Sequence, residues 1–290
     1  MRRVSLYYRE QTDTIIPRSR HNFNPGIYLT FFHICGIFSI VLTFVNDKYR
    51  KICYDHREVM IMNNTKFQNA KQAVSLTVMM TLIVAGYEVL RACQNYLPGM
   101  NLLDIASFAN ADLNTYCLVL ILANIILLPK ALLLYKENGI SLTKEIAAKE
   151  TLGKDIALGI VLAVISSVVS LLSLLVNKGR TELAFGGWNS LSVGEIILMV
   201  ISLGFVSGIC KEIYFRGFAK RFCGEVFGET AALLLFNVLF GMLDWFNMGH
   251  SFLVGLLWIW GYKKSGKLIV PMIAHGGMNL IAVVFYILTA

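Results

Sequence analysis

Three short polar clusters stand inside otherwise apolar sequence in the last third of the chain. They are KEIYFRG at 211–217, FGMLD at 240–244 and HGGMN at 275–279. Each cluster pairs polar or functional residues four positions apart, so on a helix each pair projects from one face. Because ionisable groups are costly inside a bilayer, such clusters by default indicate a functional site or a proton relay.

The third cluster suggests stabilisation of a developing negative charge. His275 and Asn279 share one helix face and could donate hydrogen bonds to a carbonyl oxygen that becomes negative during peptide hydrolysis. Gly276 and Gly277 between them permit close approach of a neighbouring backbone or a substrate. The alternative is a polar clamp between two helices.

The first two clusters each have a structural and a functional interpretation. Glu212 and Arg216 could form an ion pair that neutralises both groups where a helix leaves the bilayer. Lys211 points roughly 100° away around the helix, so it needs a partner of its own. Asp244 could simply mark the membrane boundary, beside Trp245 in the interfacial aromatic belt. The nearby histidine, at position 250, is expected in a loop.

Apolar helices must position these clusters, because the composition is that of a membrane protein. Hydrophobic residues make up 56% of the 290 residues and charged residues 15%, and the mean hydropathy is +0.63. A spanning helix needs roughly 20 mostly apolar residues. The sequence therefore predicts an all-α, polytopic transmembrane bundle of about eight spans, near 27–45, 73–90, 116–134, 156–176, 193–210, 231–245, 252–262 and 268–288.

Basic residues concentrate in the loops after the first, third and seventh spans. The net charge of +8 is therefore interpreted as a topology signal, with these loops facing the cytoplasm, and nucleic acid is not an expected partner. We expect a multi-pass protein of the cell membrane. Strict alternation would place the basic N-terminal tail outside, against the same rule, so the orientation of the tail stays open.

The cysteines and the change of composition near residue 150 complete the organisation of the chain. Six scattered cysteines without CxxC spacing predict free thiols rather than a disulfide framework or a zinc site. Residues 1–150 are interpreted as a variable N-terminal transmembrane region. Residues 151–290, which are denser in spans, hold all three polar clusters and are interpreted as the functional core.

The ordered clusters resemble a known family. The chain is similar to the CAAX protease and bacteriocin-processing family of intramembrane peptidases (CPBP or Abi), whose motifs run EExxxR, FxxxH and HxxxN or HxxxD. The likeness includes FRGF at 215–218 and the run FLVGLLWIWGYKKSGKLIVPMIAHGGMN at 252–279. The resemblance implies a glutamate-dependent endopeptidase whose first glutamate activates water opposite the FxxxH histidine, while the last motif polarises the scissile carbonyl.

Two positions depart from the family pattern. Glu212 and Arg216 match the second glutamate and the arginine, and His275 and Asn279 match the third motif, whereas Lys211 replaces the water-activating glutamate and Asp244 replaces the histidine. We hypothesise that Lys211 and Asp244 form a salt bridge in the former catalytic pocket. A protonated lysine is no general base, and an ionised aspartate cannot donate a proton as a histidinium can.

Several functions therefore stay open. The chain is either an intramembrane peptidase that cuts a peptide or a lipid-modified protein, or a catalytically silent relative that binds a peptide or a partner membrane protein, in bacteriocin immunity or in regulation. Glu212 or Asp244 could still act as a base in the first case. A metal held by Glu212, Asp244 and His275 is chemically allowed, but Lys211 would oppose a cation, and no cofactor is expected. A transporter or channel is a third possibility, because charged groups in spans also line ion paths, and Glu88 and Arg91 are the other charged pair beside a span.

Overall fold

Every regular element is a helix in the residues that the structure describes. The computed structural model describes residues 57–96, 112–176, 192–243 and 248–289. The all-α prediction is confirmed. The helices are α1 (Arg57–Tyr96), α2 (Asp112–Glu137), α3 (Leu142–Ile146), α4 (Leu152–Val176), α5 (Val193–Phe227), α6 (Glu229–Met242), α7 (Met248–Ser265) and α8 (Ile269–Thr289).

Helices of membrane-spanning length are present in this part of the chain. Four segments are long and apolar enough to cross a bilayer, namely Asn64–Tyr87, Asn114–Glu137, Leu152–Leu172 and Val193–Phe227. Two shorter apolar segments are Glu229–Met242 and Ile269–Phe285. Large exposed apolar side chains on α2, α4 and α5 are consistent with contact with lipid. The predicted first span, 27–45, lies outside the described residues.

Helix α5 carries the first polar cluster and is much longer than the predicted span 193–210. It begins with a capping box, in which Ser192 Oγ accepts from the Glu195 amide at 3.3 Å and Glu195 Oε2 accepts from the Ser192 amide at 2.7 Å. It ends before Gly228, which adopts a φ of 86°. Residues 211–219 are buried along its whole circumference. The charges therefore lie within a continuous helix and are buried inside the protein.

Three π-helical stretches interrupt α5, at Val200–Ser207, Ile213–Gly217 and Ala219–Cys223. A π turn holds more residues than an α turn, so it shifts the later side chains around the helix axis. The faces of α5 consequently do not follow a simple 3.6-residue period.

Specific contacts fix the directions of the helices around α5. The backbone of α8 runs antiparallel to α5, since Asn279 near its middle contacts Leu203 while Leu268 before its start lies near Gly217. The same helix runs parallel to α4, because Gly159 packs on Ile273 and Ala163, one turn further along α4, packs on Gly277. Helix α7 runs antiparallel to α4. Trp258 Nε1 donates to Ser166 Oγ at 2.9 Å, and Gly261, further along α7, packs on Leu162, which comes earlier in α4.

These directions bring many basic residues to one end of the bundle. The starts of α1, α4, α6 and α8 and the ends of α2, α5 and α7 meet there, and we call it the basic end. Three connections hold it together: Lys66 Nζ to Glu225 Oε2 at 3.1 Å, Lys263 Nζ to Thr230 Oγ1 at 2.9 Å, and the ion pair between Arg221 and Glu145. The short helix α3 is thereby fastened to the end of α5.

Glycine residues let α5 and α8 touch through their backbones. A methyl group on Gly208 would lie 2.6 Å from the Cα atom of Gly276, and one on Gly276 would lie 2.6 Å from the carbonyl oxygen of Gly204. Small residues four apart permit this kind of close packing between membrane helices. We call Gly204, Gly208 and Gly276 the glycine seam.

Candidate active site

Glu212 is the centre of the candidate site. Its side chain is 0% exposed, and its Oε1 atom accepts from Arg216 Nη1 at 3.1 Å and lies 2.7 Å from His275 Nδ1. A carboxylate only accepts hydrogen bonds, so Nδ1 is assigned the proton, and in a neutral ring Nε2 is then an acceptor. The second oxygen, Oε2, has no hydrogen-bond partner among the described residues.

Arg216 is held by three helices. Its Nη2 donates to Asn237 Oδ1 at 3.2 Å and to the carbonyl oxygen of Gly255 at 3.4 Å. The guanidinium carbon lies 4.3 Å from the ring centre of Phe240 and 5.3 Å from that of Trp258. An aromatic face stabilises a desolvated cation, and the weakly hydrated guanidinium suits such a place better than an ammonium would.

Asn237 joins α6 to both α5 and α7. Besides accepting from Arg216, it donates from Nδ2 to the carbonyl oxygen of Phe252 at 2.9 Å. A side chain at Gly255 would collide with the Asn237 amide and press on Arg216. The glycine is therefore required for the close approach of α7 to this hydrogen-bonded pair.

His275 is enclosed by two aromatic rings. Its ring stacks on Trp258 with centroids 4.5 Å apart and meets the edge of Phe240 at 5.5 Å. Trp258 is in turn fixed by its hydrogen bond to Ser166 Oγ at 2.9 Å. Four helices, α4, α6, α7 and α8, thus determine the orientation of the imidazole that contacts Glu212.

Asn279 lies one turn beyond His275 and points to a different partner. Its Nδ2 donates to the carbonyl oxygen of Leu203 in α5 at 2.8 Å. His275 and Asn279 therefore both connect α8 to α5, which is the geometry of the polar clamp. Donation by these groups to a substrate carbonyl stays a prediction.

Of the two residues that replace the family's glutamate and histidine, the structure describes only Lys211. Lys211 is 6% exposed and lies directly before Glu212 in the buried stretch of α5. Asp244 lies outside the described residues, so its salt bridge with Lys211 and the ligand set of Glu212, Asp244 and His275 both stay predictions. The side chains of Glu88 and Arg91 likewise lie outside the described part.

Several residues of the site had no part in the sequence argument. Asn237 could have been noticed as a lone amide in the run LLLFNVLF, and Ser166 as a hydroxyl in α4. Gly255 and Trp258 carry no such signal, because their role depends on which helix they face. His250 was expected in a loop, but it lies in α7, with Nε2 2.8 Å from Ser170 Oγ. Cys117, Cys210 and Cys223 are buried free thiols.

Comparison with known proteins supports the family resemblance over the part of the chain that forms this site. Residues 193–281 match a family model described as Rce1-like, Type II CAAX prenyl endopeptidase Rce1-like. No curated protein and no solved structure matches the chain. The matched stretch is under a third of the 290 residues, yet it contains Glu212, Arg216, His275 and Asn279. Residues 193–281 of this membrane protein are thus similar to the CAAX prenyl endopeptidase-like (CPBP/Abi) family.

Proposed function

We propose that this protein uses the CAAX-peptidase scaffold in the cell membrane to bind a peptide segment or a partner membrane protein without hydrolysing it. The observation that carries the proposal is the state of Glu212, which is fully buried and engaged by both Arg216 and His275. Bacteriocin immunity or regulation of a membrane partner would be uses of such binding.

The missing base supports this proposal. Lys211 occupies the family position of the water-activating glutamate, and a protonated ammonium has no lone pair to accept a proton. Glu212 is a poor substitute, because protonating it would leave the buried Arg216 charge without its carboxylate partner.

The arrangement of the hydrogen-bond donors supports it as well. Stabilising an oxyanion requires donors that point at the place where the negative charge develops. Here His275 Nδ1 is directed to Glu212, and Asn279 Nδ2 is directed to the Leu203 carbonyl oxygen. His275 would have to leave Glu212 before Nδ1 could donate to a tetrahedral intermediate, and Asn279 has only its second Nδ2 hydrogen available while it donates to Leu203.

One observation favours a second candidate, an active peptidase with a rearranged base. The contact between Glu212 and His275 Nδ1 leaves Nε2 as an acceptor, as in carboxylate–histidine pairs that serve as a general base. In this case Nε2 takes a proton from water, and the hydroxide attacks the scissile carbonyl carbon. The C–N bond then breaks, and the proton passes to the leaving amine, so that one peptide yields two.

A cleavage assay in liposomes separates the two candidates. The purified protein is incubated with unmodified and prenylated peptides, beside Glu212→Ala and the restored variant Lys211→Glu/Asp244→His. If the proposal is right, the natural chain does not cut, and only the restored variant does. Cleavage by the natural chain that is lost in Glu212→Ala would instead establish the rearranged peptidase.

Two controls keep the result interpretable. Glu229→Ala removes an exposed carboxylate at the start of α6 and should leave every activity unchanged. Glu212→Ala/Arg216→Met removes both buried charges, so it tests the loss of the carboxylate without an unpaired guanidinium.

Photo-crosslinking of the same peptides to the natural chain measures binding directly, and absence of any crosslink would contradict the binding proposal.

A further inference from the structure

Six lysines cover one region of the basic end. They lie on α3, on the connection to α4, at the start of α4 and around the turn between α7 and α8, and all are exposed or half-buried: Lys144, Lys149, Lys154, Lys263, Lys264 and Lys267. We call them the basic face. None of them makes an ion pair with a carboxylate in the residues that the structure describes.

The acidic residues of the same region are mostly withdrawn from the surface. Glu145 is 7% exposed and paired with Arg221, and Asp155 is 5% exposed and accepts from Thr151 Oγ1 at 2.7 Å. Glu150 is the one exposed carboxylate within 142–155, and the turn at 262–268 has no acidic residue. Within 142–155 and 262–268 the positive charge therefore exceeds the exposed negative charge, and exposed Glu229, beside the Thr230 that Lys263 contacts, is a further carboxylate at the edge of the basic face.

The basic face is a fixed part of the protein. Lys267 Nζ donates to the carbonyl oxygen of Lys144 at 2.6 Å, and the Leu268 amide donates to the carbonyl oxygen of Glu145 at 2.9 Å. These bonds join α3 to the turn before α8. The lysines of both segments consequently present their charges from one surface.

Trp260 indicates the level of a bilayer at which the basic face is expected to lie. Its side chain is 52% exposed on α7, and Lys264 Nζ lies 4.9 Å from its ring centre. Exposed tryptophan is enriched at the level of the lipid headgroups, where its ring is apolar and its N–H can reach water. A lysine paired with such a ring is therefore expected at the level of the phospholipid phosphates.

We propose that the basic face binds the phosphate groups of anionic phospholipids in the leaflet at the basic end. Exposed lysines near an anionic leaflet are attracted to it, and the attraction is concentrated within a Debye length of the surface. This inference does not depend on the proposed function, because no residue of the candidate site takes part in it.

Quenching of Trp260 by brominated lipids tests the proposal. The full chain is placed in vesicles of phosphatidylcholine and phosphatidylglycerol at one fixed ratio, in which either lipid alone carries the bromine. The contribution of Trp260 is the difference from Trp260→Phe in the same lipids. We expect quenching by the anionic lipid to exceed quenching by the zwitterionic lipid by more than about twofold at equal mole fraction, and to lose this excess in high salt.

Matched variants connect the preference to the basic face. Lys154→Gln/Lys263→Gln/Lys264→Gln should bring the two quenching values together, while the same three positions changed to Arg should keep the preference. Lys71→Gln/Lys130→Gln/Lys136→Gln removes the same charge from exposed lysines outside the basic face and should also keep the preference. Equal quenching by both lipids in the natural chain, or a preference that survives the first Gln variant, would overturn the proposal.

Discussion

At the scale of single residues, the site is a buried charge network with few spare hydrogen-bonding groups. Glu212 Oε1 serves both Arg216 and His275, and Arg216 also uses Asn237 and the Gly255 carbonyl oxygen. A buried ion pair adds little stability compared with apolar residues of the same shape, but removing one partner alone is expensive. Such a network favours one arrangement of the helices but adds little to the stability of the fold.

We predict that Glu212→Gln destabilises the protein by about 3–5 kcal/mol, because it leaves the fully buried Arg216 without a counter-ion. The double variant Glu212→Gln/Arg216→Met should recover most of this loss. The free energies of unfolding, measured in mixed detergent and dodecyl sulfate, complete a double-mutant cycle. Additive effects of the two changes would contradict the coupling.

Asn237→Ala should cost about 1–3 kcal/mol in the same measurement, since it strips Arg216 of an acceptor and the Phe252 carbonyl oxygen of a donor. Asn114→Ala is a suitable control, because that amide is only partly buried where it donates to Glu195 Oε1 at 3.0 Å. If the two variants lose equal stability, Asn237 has no special part in holding the site.

At the scale of elements, α5 illustrates which structural features could be predicted from the sequence and which could not. The apolar composition and the spacing of the polar clusters were sufficient to predict a helical membrane bundle and the association of Glu212 with Arg216. The predicted span 193–210 ends where Lys211 and Glu212 begin, although α5 continues to Phe227, because charges with buried partners do not have to end a helix. The π turns and the partners supplied by α6 and α7 depend on tertiary packing, which no local period encodes.

The glycine seam gives the prediction that belongs to this scale. Gly208→Ala should destabilise the protein by about 1–3 kcal/mol, because its methyl group would meet the backbone of Gly276 at 2.6 Å and push α5 from α8. Gly86→Ala on α1, where nothing lies within 4 Å, should change stability by less than about 1 kcal/mol in either direction. Thermal aggregation of both variants in detergent would check the difference, and equal behaviour would argue against tight contact at the seam.

At the scale of the whole molecule, the lysines of the described helices are concentrated at one end of the bundle. Lysines crowd the basic end, whereas the start of α5 at the other end has Glu195 in its capping box. Basic loops are retained on the cytoplasmic side of a membrane, so the basic end is predicted to face the cytoplasm. The helix directions place the basic loops at one end of the bundle, as this orientation requires, independently of any activity.

Cysteine labelling checks the orientation. In a background with all six native cysteines replaced, Lys149→Cys should react with a membrane-impermeant maleimide only after permeabilisation, while Ser192→Cys should react in intact cells. The two positions are exposed at opposite ends of the bundle. Labelling of both from the same side would be incompatible with the helix directions described above.

The glycine seam also limits how a long molecule can reach Glu212. Between α5 and α8 the two backbones are in contact at Gly208 and Gly276, and the bond from Asn279 to Leu203 closes the next turn. A peptide that enters laterally from the lipid cannot pass between α5 and α8 unless these two helices separate. A peptide would therefore have to reach Glu212 between other helices or from one end of the bundle. The glycine seam excludes entry between α5 and α8.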